Sequence, residues 1–290
     1  MFDFNYLAPK AGKRINLADY ACDYTGDYTK KTAKKALKAN TKELKEIQRK
    51  FYADDRYSLL IVLQAPDAAG KDGTIRHVLG GLNPQGCQVH SFKKPSSKEL
   101  QHDFLWRHYK VLPERGMIGI FNRSHYENVL IAKVRPEIVL NERIPGRDSL
   151  DKITEEFWQK RYRQINDFER HISENGTMVL KFFLNLSKQE QKERLIARLD
   201  RPDKNWKFSS NDLKERQLFA KYQGAYEDMI NATNTEYAPW FVIPADHKWF
   251  SRIAVGTIIH RYLKTIDLQF PAGEGKEALA LARKALENEP

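Results

Sequence analysis

Three groups of residues have the types and spacings that phosphoryl chemistry needs. The first is Ala65-Pro66-Asp67-Ala68-Ala69-Gly70-Lys71-Asp72-Gly73-Thr74, which follows the apolar run Tyr57–Gln64 and precedes a helical pattern. A strand, a tight turn and a helix in that order make an anion cradle, because the N–H groups of the turn and the positive end of the helix take up phosphate oxygens. Lys71 then neutralises charge near the transferred group. The usual pattern of Gly, four residues and Gly-Lys-Ser/Thr is broken twice, with Ala65 in place of the first Gly and Asp72 in place of the hydroxyl residue. An Asp still serves a hard divalent cation, directly or through water, and Asp67 is a second carboxylate in the loop.

The second group closes the run Gly116-Met-Ile-Gly-Ile-Phe-Asn122-Arg123-Ser124-His125-Tyr126-Glu127. A buried strand ending in polar residues delivers them to the carboxyl edge of a parallel sheet, beside the first loop. Arg123 suits a phosphoryl oxygen, and Glu127 suits a metal or an acceptor. Asn122 stands where a magnesium-orienting Asp commonly ends this strand. The third group is Arg198-Leu-Asp-Arg201-Pro-Asp-Lys204-Asn-Trp206-Lys207, a basic connection between two helices that can close over polyphosphate and exclude water. Lys93 and Lys94, just past another strand, extend the basic track. Of the eight histidines only His125 lies inside a motif, and it reads as a supporting hydrogen-bonding group, not a base.

The elements that must position these groups follow from hydrophobic periodicity. Continuous apolar runs at Tyr57–Gln64, Cys87–Phe92, Met117–Phe121, Thr177–Phe183 and Trp240–Ile243 read as strands buried on both faces. Helical patterns separate them at Lys71–Leu79, Ser97–Tyr109, Leu150–Ile172, Lys188–Leu199, Asn211–Met229 and His247–Leu263. Alternating strands and helices predict an α/β fold, a three-layer sandwich around a parallel sheet of about five strands. A Lys-rich N-terminal helix carries Ala33, Leu37, Leu44, Ile47 and Phe51 on one face. The expected division is an N-terminal helical extension over 1–55, a phosphate-loop α/β domain over 56–270 with a lid at about 198–212, and a C-terminal tail over 271–290. Phe104, Trp106 and Tyr109 near Arg107 are a candidate contact for a nucleobase, although aromatic residues at helical spacing are more often core.

Across 290 residues, 49 Lys and Arg oppose 38 Asp and Glu, a formal charge of +11 that calls for an acidic partner. Charge alone leaves nucleic acid, an anionic membrane and a small polyanion open. No apolar stretch is long enough to span a membrane, and no secretory leader is evident. Cys22 and Cys87 are the two cysteines, read as reduced packing residues of a cytoplasmic protein.

Taken together, APDAAGKDG, HDFLWRHYKVLPERGMIGI, FNRSHYENVLIAKV and RLDRPDKNWKFSSNDLKER resemble the family-2 polyphosphate kinases, a branch of the P-loop kinases similar in fold to thymidylate kinase. The resemblance runs from about Asn40 to Leu268. It implies magnesium-dependent (or manganese-dependent), reversible transfer of phosphoryl groups from inorganic polyphosphate to AMP and ADP, with GMP and GDP as further acceptors. It implies catalytic roles for Asp67, Lys71, Arg123 and Arg198, and phosphate contacts from Ala68, Ala69, Gly70, Asp72, Gly73, Thr74, Lys93, Lys94, Arg135, Arg201, Lys204 and Lys207. Asp67 is the metal ligand, with Asp72 and Glu127 as further candidates. Asn122 and Glu127 resemble the branch that accepts both nucleoside mono- and diphosphates. The expected partners are polyphosphate and nucleotides, with neither nucleic acid nor membrane, in a homo-oligomer, dimer or tetramer. An ATP-dependent P-loop kinase explains the loop and lid but not the charge. A nucleic-acid binder explains the charge, but no helix-turn-helix, zinc-finger or RNP pattern accompanies it.

Overall fold

The five apolar runs become strands. In the computed structural model, which describes residues 2–289 with the side chain of Lys207 set aside, they are β1 (Ser58–Gln64), β2 (Cys87–Ser91), β3 (Ile118–Asn122), β4 (Thr177–Asn185) and β5 (Trp240–Pro244). All pair in parallel, in the order β2-β3-β1-β4-β5. The helices of eight residues or more are α1 (Lys30–Asp54), α2 (Lys71–Leu79), α3 (Glu155–Glu174), α4 (Lys188–Leu199), α5 (Ser210–Gln217), α6 (Phe219–Thr233), α7 (Lys248–Leu263) and α8 (Lys276–Glu287).

Successive side chains of a strand point to opposite faces, so a central strand must feed two cores. All seven residues of β1 are buried. Leu59, Ile61 and Leu63 enter one core with Val78 of α2, Leu44 and Phe51 of α1 and Ile258 of α7. Leu60 and Val62 enter the other with Ile165 of α3 and Met229 of α6. The result is the expected three-layer α/β sandwich.

The N-terminal residues join this packing. Leu7 and Ala33 sit in the first core and Leu17 in the second. The α1 face is the one the sequence gives, with Leu37 and Ile47 partly buried and Asn40 and Gln48 completing it. Gly256 of α7 permits the close approach of α1, since a Cβ there would lie 2.8 Å from Asn40 Oδ1. A side-chain oxygen caps α1 (Thr29), α4 (Ser187) and α5 (Ser209), satisfying N–H groups that a helix start leaves unpaired.

Three helix expectations change. Ser97–Tyr109 is not one helix: a 3-10 turn at Glu99–Gln101 and a short helix at Trp106–Tyr109 flank Asp103, whose Oδ1 accepts from the Leu105 N–H at 2.8 Å and turns the chain between them. The helix expected from Leu150 begins at Glu155, after extended backbone at Thr154; Leu150 is exposed and has no core to face. Asn211–Met229 is broken at Leu218 into α5 and α6, which gives the end of the basic connection its own helix. Both cysteines are free thiols; burial pushes Cys22 up to about 12 and Cys87 up to about 11, which leaves them unreactive. None of the α8 side chains is buried. Among the described residues no helix is long and apolar enough to cross a membrane.

Candidate active site

The carboxyl ends of β1 and β3 open into a cleft of about 1230 Å³ that gathers most of the predicted residues. Its floor is the turn after β1. Two of its residues, Ala68 (φ 64°) and Gly70 (φ 104°), take left-handed backbone, a conformation costly for alanine and free for glycine. Gly70 caps α2 without offering a side-chain oxygen, so the first N–H groups of the helix face the cleft for an anion. Lys71 reaches back and donates to the Ala65 carbonyl at 2.8 Å. Burial pulls its pKa down, against the opposing pull of Asp67, Glu127 and Asp72.

Parallel pairing sets Leu63 beside Asn122, so β3 delivers its polar end to the same edge. Arg123 also adopts left-handed backbone (φ 61°) while its N–H donates to the Leu63 carbonyl at 3.2 Å. The strained turn aims its guanidinium across the loop, 3.5 Å from Asp67 Oδ1, with both side chains still substantially exposed. Asn122 Nδ2 donates to Asp72 Oδ1 at 2.8 Å. The amide therefore holds the carboxylate that follows Lys71. Glu127 sits on the 3-10 turn His125–Asn128. Burial raises its pKa, with Arg123 and Lys71 opposing and Asp67 reinforcing the rise. With the Gln64 amide oriented to satisfy both ends, its nitrogen donates to Glu127 Oε1 at 2.9 Å and its oxygen accepts from Ser124.

The basic connection forms the opposite wall. Arg198 donates to Asp212 Oδ2 at 3.1 Å, and Arg201 pairs with Asp203 at 2.8 Å. Both arginines line the cleft with Lys204 and the exposed Trp206. The Lys207 side chain lies outside the described residues. Lys93 lines the cleft, whereas Lys94 and Thr74 do not; Thr74 is buried, with its N–H bonded to the Gly70 carbonyl. Arg135 is also outside the lining. It grips Glu215 of α5 at 2.8 Å and so ties that helix to the end of the short helix Ile131–Val134, while Glu215 also accepts from the Tyr222 hydroxyl of α6 at 2.6 Å. The aromatic group near Arg107 is elsewhere: Arg107 lies over Phe92 and pairs with Glu99, and Phe104 lies under Arg161.

Several residues here have no motif to announce them. Arg194 of α4 is nearly buried and donates to the carbonyls of Ala68 (3.2 Å), Ala69 (2.9 Å), Ala245 (2.6 Å) and Asp246 (2.9 Å). It bolts the phosphate loop to the end of β5. Gln191, one turn earlier, donates to the Asp67 carbonyl at 3.1 Å. From α7, Lys248 lies against Gly70 and Arg252 against Gly73. Their pKa values are lowered, first by burial and then by other cations: Arg194, Lys204 and Arg252 act on Lys248, and Arg76 and Arg194 on Arg252. Such mutual repulsion is sustained where a polyanion is to be met. Tyr222 and Tyr226 complete the wall below the lid. The one sequence signal for the α7 pair was basic residues just beyond the last strand, at the sheet edge where ligands bind.

Comparison with known proteins agrees with this geometry. A model of the polyphosphate kinase 2 family matches residues 27–271. The chain is 48% identical over 253 residues to the ADP-polyphosphate phosphotransferase of Rhodopseudomonas palustris, with 86% of each protein covered. It is 45% identical over 239 residues to the AMP/ADP-polyphosphate phosphotransferase of Meiothermus ruber, covering 82% of this chain and 84% of that one. The crystal structure of polyphosphate kinase 2 from Arthrobacter aurescens superposes with a TM-score of 0.88 at 39% identity, over 98% of this chain and 95% of that one. With the family model matching most of its length and relatives at 45% and 48% identity, the chain belongs to the polyphosphate kinase 2 family.

Proposed function

We propose that the protein transfers phosphoryl groups from inorganic polyphosphate to AMP and ADP, forming ADP and ATP, with GMP and GDP as further acceptors. The observation that carries this is a cluster of cations outside the lid: Lys248 and Arg252 lie against the phosphate loop, with Arg76 acting on Arg252 and Arg194 on both. A nucleotide alone does not need that extra track; a phosphate polymer does. The two relatives named for polyphosphate and for ADP or AMP/ADP support the same substrates.

Phosphoryl transfer passes through a loose transition state with charge on three equatorial oxygens, so positioning and electrostatics carry the catalysis. The terminal phosphate oxygen of the acceptor attacks the end phosphorus of the polymer in line. A P–O bond forms to the nucleotide as the bridging P–O bond of the polymer breaks, and the departing chain is one phosphate shorter. The attacking oxygen is already ionised at neutral pH, so no strong base is required. The loop N–H groups orient the donor, Lys71 and Arg123 face the transferred group, and closure of the lid adds Arg198, Arg201 and Lys204. Asn122 and Glu127 meet the acceptor.

The residues fit magnesium, or manganese in its place. Such ions take one or two carboxylates and complete their shell with water and substrate phosphates. Asp67 offers an accessible carboxylate and Asp72 a second, with Glu127 close behind. Among the described residues no three His, Cys, Asp or Glu side chains form a ready-made metal cluster. When bound by Asp67 and Asp72, the ion would offset the negative charge of the phosphates. On this reading residues 56–270 carry the chemistry, residues 1–55 buttress the sheet, and the enzyme works in the cytoplasm as a dimer or tetramer.

A panel of AMP, ADP, GMP and GDP, each with magnesium and either polyphosphate or ATP as donor, tests the reading. Product from polyphosphate is expected. Product from ATP alone would favour the ordinary P-loop kinase instead.

A further inference from the structure

Beneath the cleft lies an ionic group that the chemistry does not use. Lys181, in the middle of β4, and Glu169 of α3 are both fully buried and bonded at 2.5 Å. Lys181 Nζ also donates to the Tyr126 hydroxyl at 2.8 Å and to the Thr233 carbonyl at 2.7 Å. Glu169 Oε1 accepts from the Tyr126 hydroxyl at 2.7 Å and meets His125 Nε2 at 3.2 Å. Burial keeps His125 toward its neutral form, in which Nε2–H donates to Glu169 and Nδ1 is left without a partner. Trp240 covers the group, with Lys181 Nζ 5.2 Å from its ring centre and its indole N–H donating to Thr233 Oγ1 at 2.9 Å.

The placement of the three partners is informative. Tyr126 and His125 belong to the 3-10 turn that carries Glu127 and immediately follows the strained Arg123. Thr233 ends α6, the helix that begins at the lid and lines the cleft through Tyr222 and Tyr226. One buried cation therefore binds the acceptor-side turn and the base of the lid to the same strand. A charge pair buried in an apolar core is commonly no more stabilising than a well-packed apolar replacement, so stability alone does not account for it. Excluding water and pairing the Lys181, Glu169 and Tyr126 groups with one another does make such a network rigid.

We propose that Lys181, Glu169 and Tyr126 are positioning residues that fix Arg123 and Glu127 relative to the lid base, and so set acceptor affinity. The inference rests on the roles given above for Arg123 at the transferred group and Glu127 at the acceptor.

Two variants test it. Tyr126→Phe removes the hydroxyl tie to the turn and leaves the Lys181–Glu169 pair and the His125–Glu169 contact in place; Glu169→Gln combined with Lys181→Met removes the pair without stranding either charge. For Tyr126→Phe the expected result is a rise of about tenfold in KM for AMP and ADP, with KM for polyphosphate unchanged. Amide hydrogen exchange over residues 124–129 should quicken about tenfold, the size expected for losing a bond to a charged group, while β4 keeps its protection. The double variant should add faster exchange at the end of α6 and a lower kcat. Uniform acceleration through the molecule, or local acceleration with unchanged acceptor KM, would overturn the proposal. Should the wild-type protein form no product from polyphosphate, the proposed substrate fails, while the exchange pattern still decides whether these residues hold the turn.

Discussion

Arg194 is the least conspicuous of the residues that build the phosphate loop, and replacing it with Met isolates its part. Met retains an unbranched apolar stem and deletes only the guanidinium fork. Four backbone carbonyls lose a charged donor: Ala68 and Ala69 in the loop, Ala245 and Asp246 after β5. The part-buried carbonyls of Ala68 and Asp246 can turn to water, whereas those of Ala69 and Ala245 are buried, so the loss that stays uncompensated is that of two bonds to a charged group, about 3 kcal/mol at roughly 1.5 kcal/mol each. For a chain of this size that corresponds to a fall of about 6 °C in Tm, at roughly 2 °C per kcal/mol. The larger effect falls on catalysis. Ala68 is held in left-handed backbone, and once unbolted it relaxes toward ordinary geometry and takes the loop N–H groups out of line. Misplacement of about 1 Å in a reacting geometry costs on the order of a hundredfold. The assay is initial rate against polyphosphate with ADP saturating, alongside a thermal melt. A lower Tm with wild-type kcat would refute the reasoning, because Arg194 would then support the fold without shaping the loop.

Other expectations follow from the same geometry. Asp67→Asn and Lys71→Met should each lower kcat by about a thousandfold or more, the scale of losing a central electrostatic group, with an unchanged circular dichroism spectrum; near-normal rates would remove either residue from the site. Glu127 has its folded pKa raised by burial, so the unfolded chain ionises first as pH rises, and stability is lost from the ordinary carboxylate value up to the raised one. Glu127→Gln should therefore melt no lower than wild type at pH 7, and higher if burial dominates, while it slows AMP phosphorylation more than ADP phosphorylation; an equal loss on both acceptors would sink its role in acceptor choice. Replacing Arg201 and Lys204 with Ala should weaken polymer binding and lower kcat together, and a variant that kept both would rule out the lid role. Affinity for polyphosphate should fall steeply between low and physiological salt, by the release of counterions from a polyanion, with a shallower fall for AMP.

Much of this site is local in the chain, and that is why it was legible. The phosphate loop needs only a buried strand, a turn and a helix in succession, and Tyr57–Leu79 supplies them without reference to the rest of the protein. Asn122 through Glu127 announce themselves in the same way, as polar residues closing an apolar run. What a single sequence does not show is which helix crosses the sheet edge at what height. Arg194, Lys248 and Arg252 sit on ordinary amphipathic helices, and only the strand order β2-β3-β1-β4-β5 brings them to the loop. Periodicity misled at residues 97–109, where aromatic spacing resembled a helix but Asp103 captures a backbone N–H and turns the chain. The buried Lys181 was hidden for the opposite reason: within Thr177–Phe183 it is one charge in an apolar run, and its partners come from three distant segments.

The central claim is that the phosphate delivered to the nucleotide comes from the polymer. Radiolabelled polyphosphate mixed with unlabelled AMP, magnesium and the purified protein, in the absence of any nucleoside triphosphate, addresses it directly. The account predicts label first in ADP and then in ATP, with a matching shortening of the polymer and loss of both products in Lys71→Met. Label that stays in the polymer, or is released only as orthophosphate, would contradict it.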